Sequence, residues 1–279
     1  MKKTFCKMHG IGNDYLYFDC FNESFENPEQ AAVKLSDRHF SVGGDGIVLI
    51  CPSELADAKM RMFNADGSEG KMCGNAIRCV GKYLYEVRKV KKEVLTIETL
   101  SGIKKLTLHI EGSKVVSVTV DMGKAILTPA EIPANFDGEK VVDAPLVAAG
   151  KSYRVTCVSM GNPHCVVFGG NPYDMNLERI GPHFENHPLF PERVNTEFVQ
   201  VLDKNELKMR VWERGSGETW ACGTGACAVA VAGVLNGYCD KDADITVILR
   251  GGTLVIRYTD DAVFMTGPAE FAFKGTVEL

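Results

Sequence analysis

Cys73 and Cys222 stand 149 positions apart (222 − 73) in a chain of 279 residues, and the sequence around one echoes the sequence around the other. In Cys73-Gly74-Asn75-Ala76 and Cys222-Gly223-Thr224-Gly225-Ala226 a cysteine and a glycine precede a run of small residues that reads as a helix start. The same offset relates Gly12-Asn13 to Gly161-Asn162, Arg61 to Arg210, Phe63 to Trp212, Asn64 to Glu213 and Glu69 to Glu218, without a gap. A fixed period shared by motifs this far apart predicts two copies of one unit. Two copies facing each other would set matched thiols on opposite sides of one cleft.

Local signals repeat in the same order. A strand is expected at Tyr15–Phe18, a helix opening at Asn27-Pro28-Glu29 and running to about His39, and strands at Ile47–Ile50 and Lys59–Phe63. Polar residue, proline and acid in succession are helix-start signals. After Cys73 comes a helix with Ile77, Val80, Gly81 and Leu84 on one face, then strands near 93–100, 103–110 and 114–121. Residues 124–140, with Pro129, Pro133 and Gly138, read as the crossing between halves. The second half is expected to hold strands near 152–159 and 164–168, a helix near 176–187, strands near 196–201 and 207–212, and a buried apolar helix after Cys222. A meander at 244–250, 253–258, 262–266 and 270–277 closes the chain. The expected class is α+β, with two pseudo-symmetric halves, 1–123 and 124–267, each a curved, mostly antiparallel sheet around a central helix.

The net charge of −5, without a basic stripe or interleaved aromatics, argues against nucleic acid as a partner. No stretch approaches the roughly 20 apolar residues of a membrane helix, and Met1-Lys2-Lys3-Thr4-Phe5 lacks the apolar core of a signal peptide. Ten cysteines without a secretion signal point to a cytoplasmic protein with reduced thiols. No C-x-x-C occurs, and the Cys73/Cys79 and Cys222/Cys227 spacings are unlike a zinc pattern, so no metal is expected. Cys6, Cys20, Cys51, Cys157, Cys165 and Cys239 lie in or beside apolar runs and are expected as small buried hydrophobes.

A helix N-terminus carries partial positive charge and outward-pointing amides. A cysteine there has its thiolate favoured. The amides at Gly74-Asn75 and Gly223-Thr224 offer a seat for a carboxylate, and the glycines admit a ligand close to the backbone. Two facing thiols suit inversion of a stereocentre with an acidic hydrogen, in which one face loses a proton and the other gains one. Such a pair titrates as a coupled unit. The carbanionic transition state would be stabilised by two helix N-termini aimed at one carboxylate.

The runs Lys7-Met8-His9-Gly10-Ile11-Gly12-Asn13-Asp14, Phe63-Asn64-Ala65-Asp66-Gly67-Ser68-Glu69, Cys73-Gly74-Asn75-Ala76-Ile77-Arg78-Cys79, Ser159-Met160-Gly161-Asn162-Pro163-His164 and Glu213-Arg214-Gly215-Ser216-Gly217-Glu218-Thr219-Trp220-Ala221-Cys222-Gly223-Thr224-Gly225 resemble the diaminopimelate epimerase family, in order and over nearly the full length. The resemblance implies a two-base epimerase of LL- and meso-2,6-diaminopimelate that needs no pyridoxal phosphate, on the route to lysine and peptidoglycan. It implies a homodimer, and C-terminal residues (about 268–279) that complete the first half. It further implies Cys73 and Cys222 as acid and base, with His164 and Glu213 in support. Gly74, Asn75, Gly223 and Thr224 would hold the reacting carboxylate, and Asn13, Asn64, Asn162, Asn195, Glu213 and Arg214 the amino groups and distal carboxylate. Arg214 can grip a carboxylate bidentately and Glu213 can pair an ammonium. Read without the resemblance, Asn13, Asn162 and Asn195 also fit turn formers and His164 a strand start. Where many family members carry glutamine this chain has Gly46, so a side-chain contact to substrate is expected to be lost or water-mediated; Thr224 stands where serine is common. The competing readings are another cofactor-independent racemase, of the proline-racemase type, and a cysteine-rich metal or redox module. A further expectation is a Cys73–Cys222 disulfide under oxidation.

Overall fold

The computed structural model describes residues 2–279; Met1, at the head of the expected first half, lies outside them. Chain packing divides them into two compact units, one running to Asp121 and including Thr266–Leu279, the other Met122–Met265.

In the first unit the strand Lys2–Gly10 turns through Ile11-Gly12, both at positive φ (46° and 89°), into the antiparallel strand Asn13–Asp19. Helix α1 (Pro28–Ser36) then leads to Gly46–Cys51, which lies parallel to Asn13–Asp19. Ala58–Asn64 runs antiparallel to Gly46–Cys51, pairs with the short strand Glu69–Gly70, and enters helix α2 (Gly74–Glu86) through the loop that follows. Val94–Thr99, Gly102–Glu111 and Lys114–Asp121 form a meander, and Glu270–Glu278 pairs antiparallel with Lys2–Gly10. Helix α2 packs on Lys2–Gly10, Asn13–Asp19, Gly102–Glu111 and Lys114–Asp121.

The second unit repeats this plan. Lys151–Ser159 and Pro163–Phe168 are antiparallel, helix α3 (Leu177–Glu185) follows, and Asn195–Asp203 lies parallel to Pro163–Phe168. Glu206–Glu213 and Gly217–Thr219 precede helix α4 (Gly223–Leu235), and Asp244–Leu249 with Gly252–Tyr258 continue the sheet. Ala144–Ala148 occupies the edge that Glu270–Glu278 holds in the first unit. Both helix pairs, α1 with α3 and α2 with α4, start and end 149 positions apart, so the repeat is residue-for-residue to the end of α2 and α4; the strands that follow, Val94–Thr99 and Asp244–Leu249, are 150 apart. The class is α+β, mostly antiparallel, with one helix enclosed in each unit.

Several local expectations shift. Lys2–Gly10 and Ala144–Ala148 are strands that no alternation of polar and apolar residues announced; Lys2–Gly10 is laddered to Glu270–Glu278 as well as to Asn13–Asp19, and Ala144–Ala148 to Lys151–Ser159 across a two-residue turn. Asn27 does not cap α1 through its side chain, because its φ of 48° is not the extended backbone that capping uses. Asn176 does cap α3, accepting from the Arg179 amide at 3.0 Å. Helix α1 stops at Ser36 because Asp37 is extended and its carboxylate takes the amides of His39 and Phe40 (2.7 and 2.8 Å). Helix α4 is buried from Gly225 to Gly233, as its small apolar residues require. Helix α2 is also buried but carries Arg78 and Lys82 inside. Arg78 donates to the carbonyls of Gly74 and Pro268, both at 3.1 Å, and Lys82 to that of Val115 at 2.9 Å.

Candidate active site

Cys73 and Cys222 each occupy the residue before a helix, in extended backbone (φ −132° and −117°). Their carbonyls accept the first helical bonds, from Ile77 at 2.9 Å and Ala226 at 3.0 Å. The next amides, at Gly74-Asn75 and Gly223-Thr224, belong to the outward-pointing end of the helix. The two surroundings differ, and each is described within its own unit.

In the first unit the half-buried Cys73 thiol donates to Asn13 Oδ1 at 3.3 Å. The Asn13 amide cannot rotate freely, since its Nδ2 donates to Asp45 Oδ2 at 2.6 Å. Asp45 also receives the Asp14 amide (3.0 Å) and Arg38 (2.9 Å), while Asp14 pairs with Arg38 and Lys7, both at 2.6 Å. Lys7 donates in turn to the Gly43 carbonyl. Lys7, Arg38 and Asp45 thus brace the turn that presents Asn13. Asn64 is not part of this brace: its Nδ2 donates to Ser68 Oγ at 3.0 Å and closes its own loop.

In the second unit the buried Cys222 Sγ accepts the Gly225 amide at 3.3 Å and lies 3.5 Å from Thr224 Oγ1. Asn162 Nδ2 donates to Thr224 Oγ1 at 3.3 Å, and its Oδ1 lies 3.1 Å from His164 Nε2. On the other side of the ring, His164 Nδ1 lies 2.7 Å from Glu197 Oε1. Both ring nitrogens therefore face acceptors, and both His164 and Glu197 are 0 % exposed. Glu213 accepts from Thr219 and lies close enough for its charge to act on the Cys222 thiol. Asn195 joins a different contact: its Oδ1 accepts the Arg214 amide at 3.0 Å and its Nδ2 donates to the Pro163 carbonyl at 2.9 Å. The Arg214 guanidinium donates to the Glu192 carbonyl at 3.0 Å.

Glu197 was missed in the sequence. Its signal is the repeat itself: an acid at the position where the first unit has Val48 (197 − 149). By the same offset His164 replaces Tyr15, and Gly225 replaces Ala76. The glycine follows from the acid: a Cβ at 225 would lie 2.6 Å from Glu197 Oε1 and 3.2 Å from Cys222 Sγ.

The carboxylates reverse one electrostatic expectation. Burial, followed by the charges of Glu213 and Glu197, pushes the Cys222 thiol well above its ordinary value. The Thr224 hydroxyl and Gly225 amide oppose this and do not overcome it. The helix N-terminus alone would have favoured a thiolate; desolvation and two nearby acids outweigh it. Glu213 is itself raised, first by burial and then by Glu197, against Thr219, His164 and Cys222.

Gly46, where a glutamine contact was expected to be absent, has no room for a side chain. Its φ is +153°, and a Cβ would lie 2.0 Å from the Phe63 carbonyl oxygen.

Comparison with known proteins agrees with these features. A family profile described as diaminopimelate epimerase matches residues 5–128 and 156–272. A diaminopimelate epimerase of Acetivibrio thermocellus is 57 % identical over 277 residues, covering 99 % of this chain and 98 % of its own length. One from Methanococcus maripaludis is 53 % identical, with 99 % of each chain covered. Among solved structures, a PhzF-family phenazine biosynthesis protein of Bacillus anthracis aligns over all of both chains with TM-score 0.73 at 18 % identity. A hydroxyproline epimerase of Agrobacterium vitis aligns with TM-score 0.69 at 14 % identity, covering 100 % of this chain and 93 % of its own. The structural likenesses speak to fold alone. The profile match across both units, together with more than half of the residues shared over 99 % of the chain, establishes that this chain belongs to the diaminopimelate epimerase family.

Proposed function

We propose that this chain is a cofactor-independent isomerase that interconverts LL- and meso-2,6-diaminopimelate, with Cys73 and Cys222 as its two proton-transferring groups. The observation that carries the reading is a cysteine before each of two repeat-equivalent buried helices, in a chain 57 % identical to a diaminopimelate epimerase. One thiolate removes the α-proton, and the other thiol delivers its own proton to the opposite face. The bond broken is Cα–H, the bond formed is the new Cα–H, and the thiols exchange protonation states. Cys222, held as a thiol by burial and by Glu213 and Glu197, is suited to the donor role at the start of a turnover. The amides of Gly74-Asn75 and Gly223-Thr224 would offset charge developing on the substrate carboxylate. Asn13 would orient at the Cys73 end and Asn162 with His164 at the Cys222 end. Asn64, Asn195, Glu213 and Arg214 supply polar contacts for a substrate with a charged distal end. A homodimer acting in the cytoplasm, on the route to lysine and peptidoglycan, completes the reading.

The test is incubation with LL-diaminopimelate in D2O without pyridoxal phosphate. Wild type should epimerise and take up α-deuterium, while Cys73→Ala and Cys222→Ala should each lose epimerisation. Full activity in either variant overturns the two-base assignment. A clear preference for proline over diaminopimelate would favour the proline-racemase reading instead.

A further inference from the structure

We propose that Cys20 and Cys51 form a dithiol modification site, exchanging with low-molecular-weight disulfides to give a reversible Cys20–Cys51 disulfide.

These residues were expected as buried hydrophobes, yet both are only partly buried and line one open cavity of about 450 Å³ with Phe21, Phe25, Pro52 and Arg61. Strand pairing puts them side by side. Asp19 is in register with Ile50 on parallel strands, and the Cys20 amide donates to the Ile50 carbonyl at 2.8 Å, so Cys20 arrives beside Cys51. Both side chains pack on the cluster that holds Phe18 and Leu49, two residues before each, and so lie on the same face of the sheet. Neighbouring strands are about 4.8 Å apart, within the roughly 4.4–6.8 Å between Cα atoms that a disulfide spans.

The pair is also electrically unequal. The neighbouring Cys20 thiol, with Arg61 and Lys59 nearby, draws Cys51 below its ordinary value, burial and Asp19 opposing this; the Cys20 thiol itself donates to the Phe18 carbonyl at 3.8 Å. Cys20 is held above its ordinary value by the neighbouring Cys51, with burial adding to the effect. An accessible, acidified thiol with a second thiol in reach is the arrangement of a thiol-exchange site.

The chemistry balances without another reactant. The Cys51 thiolate attacks one sulfur of the incoming disulfide, forms a mixed disulfide and expels one small thiolate. Cys20, giving up its proton, then attacks Cys51 Sγ and expels the second small thiolate. The cysteine pair loses two electrons, the small disulfide gains them, and the two cysteine protons end on the two released thiols. Cys20 lies beyond one end of Asn13–Asp19 and Asn13, the partner of Cys73, at the other. At about 3.3 Å per residue the separation is roughly 23 Å, so the site is distinct from Cys73.

The test is exposure of the folded protein to oxidised glutathione, followed by alkylation and peptide mapping. Wild type should yield a Cys20–Cys51 cross-link that dithiothreitol removes. Cys20→Ser should instead trap glutathione on Cys51, and Cys51→Ser should leave Cys20 unmodified. Absence of the wild-type cross-link overturns the proposal, and this readout needs no variant to fold. Glutathione trapped on Cys20 and not on Cys51 overturns the assigned direction of attack. Because the readout is peptide mass, its outcome is independent of epimerase activity.

Discussion

Gly225→Ala pits two effects of opposite sign against each other. Alanine is favoured over glycine inside a helix by about 0.5–1 kcal/mol. Against this, the new Cβ would lie 2.6 Å from Glu197 Oε1 and 3.2 Å from Cys222 Sγ. Glu197 cannot swing away cheaply, being fully buried and 2.7 Å from His164 Nδ1. Overpacking a tight interior costs roughly 1–3 kcal/mol, and weakening a hydrogen bond to a charged group about 1.5–3 kcal/mol. The clash therefore wins, for a net loss of about 2–4 kcal/mol. At about 2–4 °C per kcal/mol for a chain of this size, thermal unfolding should shift down by roughly 5–15 °C. Glu197→Asp, one methylene shorter, should restore part of the loss in the Gly225→Ala background, because residues in contact are not additive. An unfolding midpoint equal to or above wild type would show that Glu197 does not restrict position 225 and would refute the reasoning.

Gly46→Gln should not restore a substrate contact but should destabilise the first unit by about 3 kcal/mol or more, given the strained φ and the Phe63 carbonyl; a denaturant midpoint within error of wild type would contradict this. Arg78→Met should cost about 2–4 kcal/mol by leaving the Gly74 and Pro268 carbonyls without their guanidinium donor, measured by urea unfolding, where an unchanged midpoint counts against it. Burial alone would raise Asp14, but hydrogen bonds from Arg38 and Lys7 bring its carboxyl below the ordinary value. Its stabilisation is thus fully present above the unfolded value of about 3.9 and fades as pH falls through the lower folded value. Arg38→Ala should move the acid-unfolding midpoint to higher pH, and a midpoint that stays put would remove Asp14 from the account.

Legibility differed from element to element. Helices α2 and α4 could be read because a cysteine-glycine start, small residues and apolar spacing are all local signals. The strands 103–110 and 114–121 were bounded by turn residues and emerged as Gly102–Glu111 and Lys114–Asp121. Lys2–Gly10 and Ala144–Ala148 were not legible, since neither carries the period-two pattern of a half-buried strand, and Lys2–Gly10 takes one of its two ladders from Glu270–Glu278 at the far end of the chain. Of the nominated site residues, Asn13 lies against Cys73, and Asn162, His164, Thr224 and Glu213 gather around Cys222, whereas Asn64 and Asn195 make contacts of their own. Glu197 went unread because an acid in a strand looks solvated until the strand's neighbours are known.

The sequence by itself determined the repeat, since a duplicated unit is a covalent pattern with a fixed offset, and with it the matched placement of two thiols before two helices. Only the tertiary structure decided how those thiols differ, with an asparagine beside Cys73 but two carboxylates beside Cys222. It alone brought Cys20 beside Cys51 and Glu197 beneath Gly225. Such encounters depend on which strands pair and in what register, a choice made by the burial of the whole unit and written in no short stretch of chain.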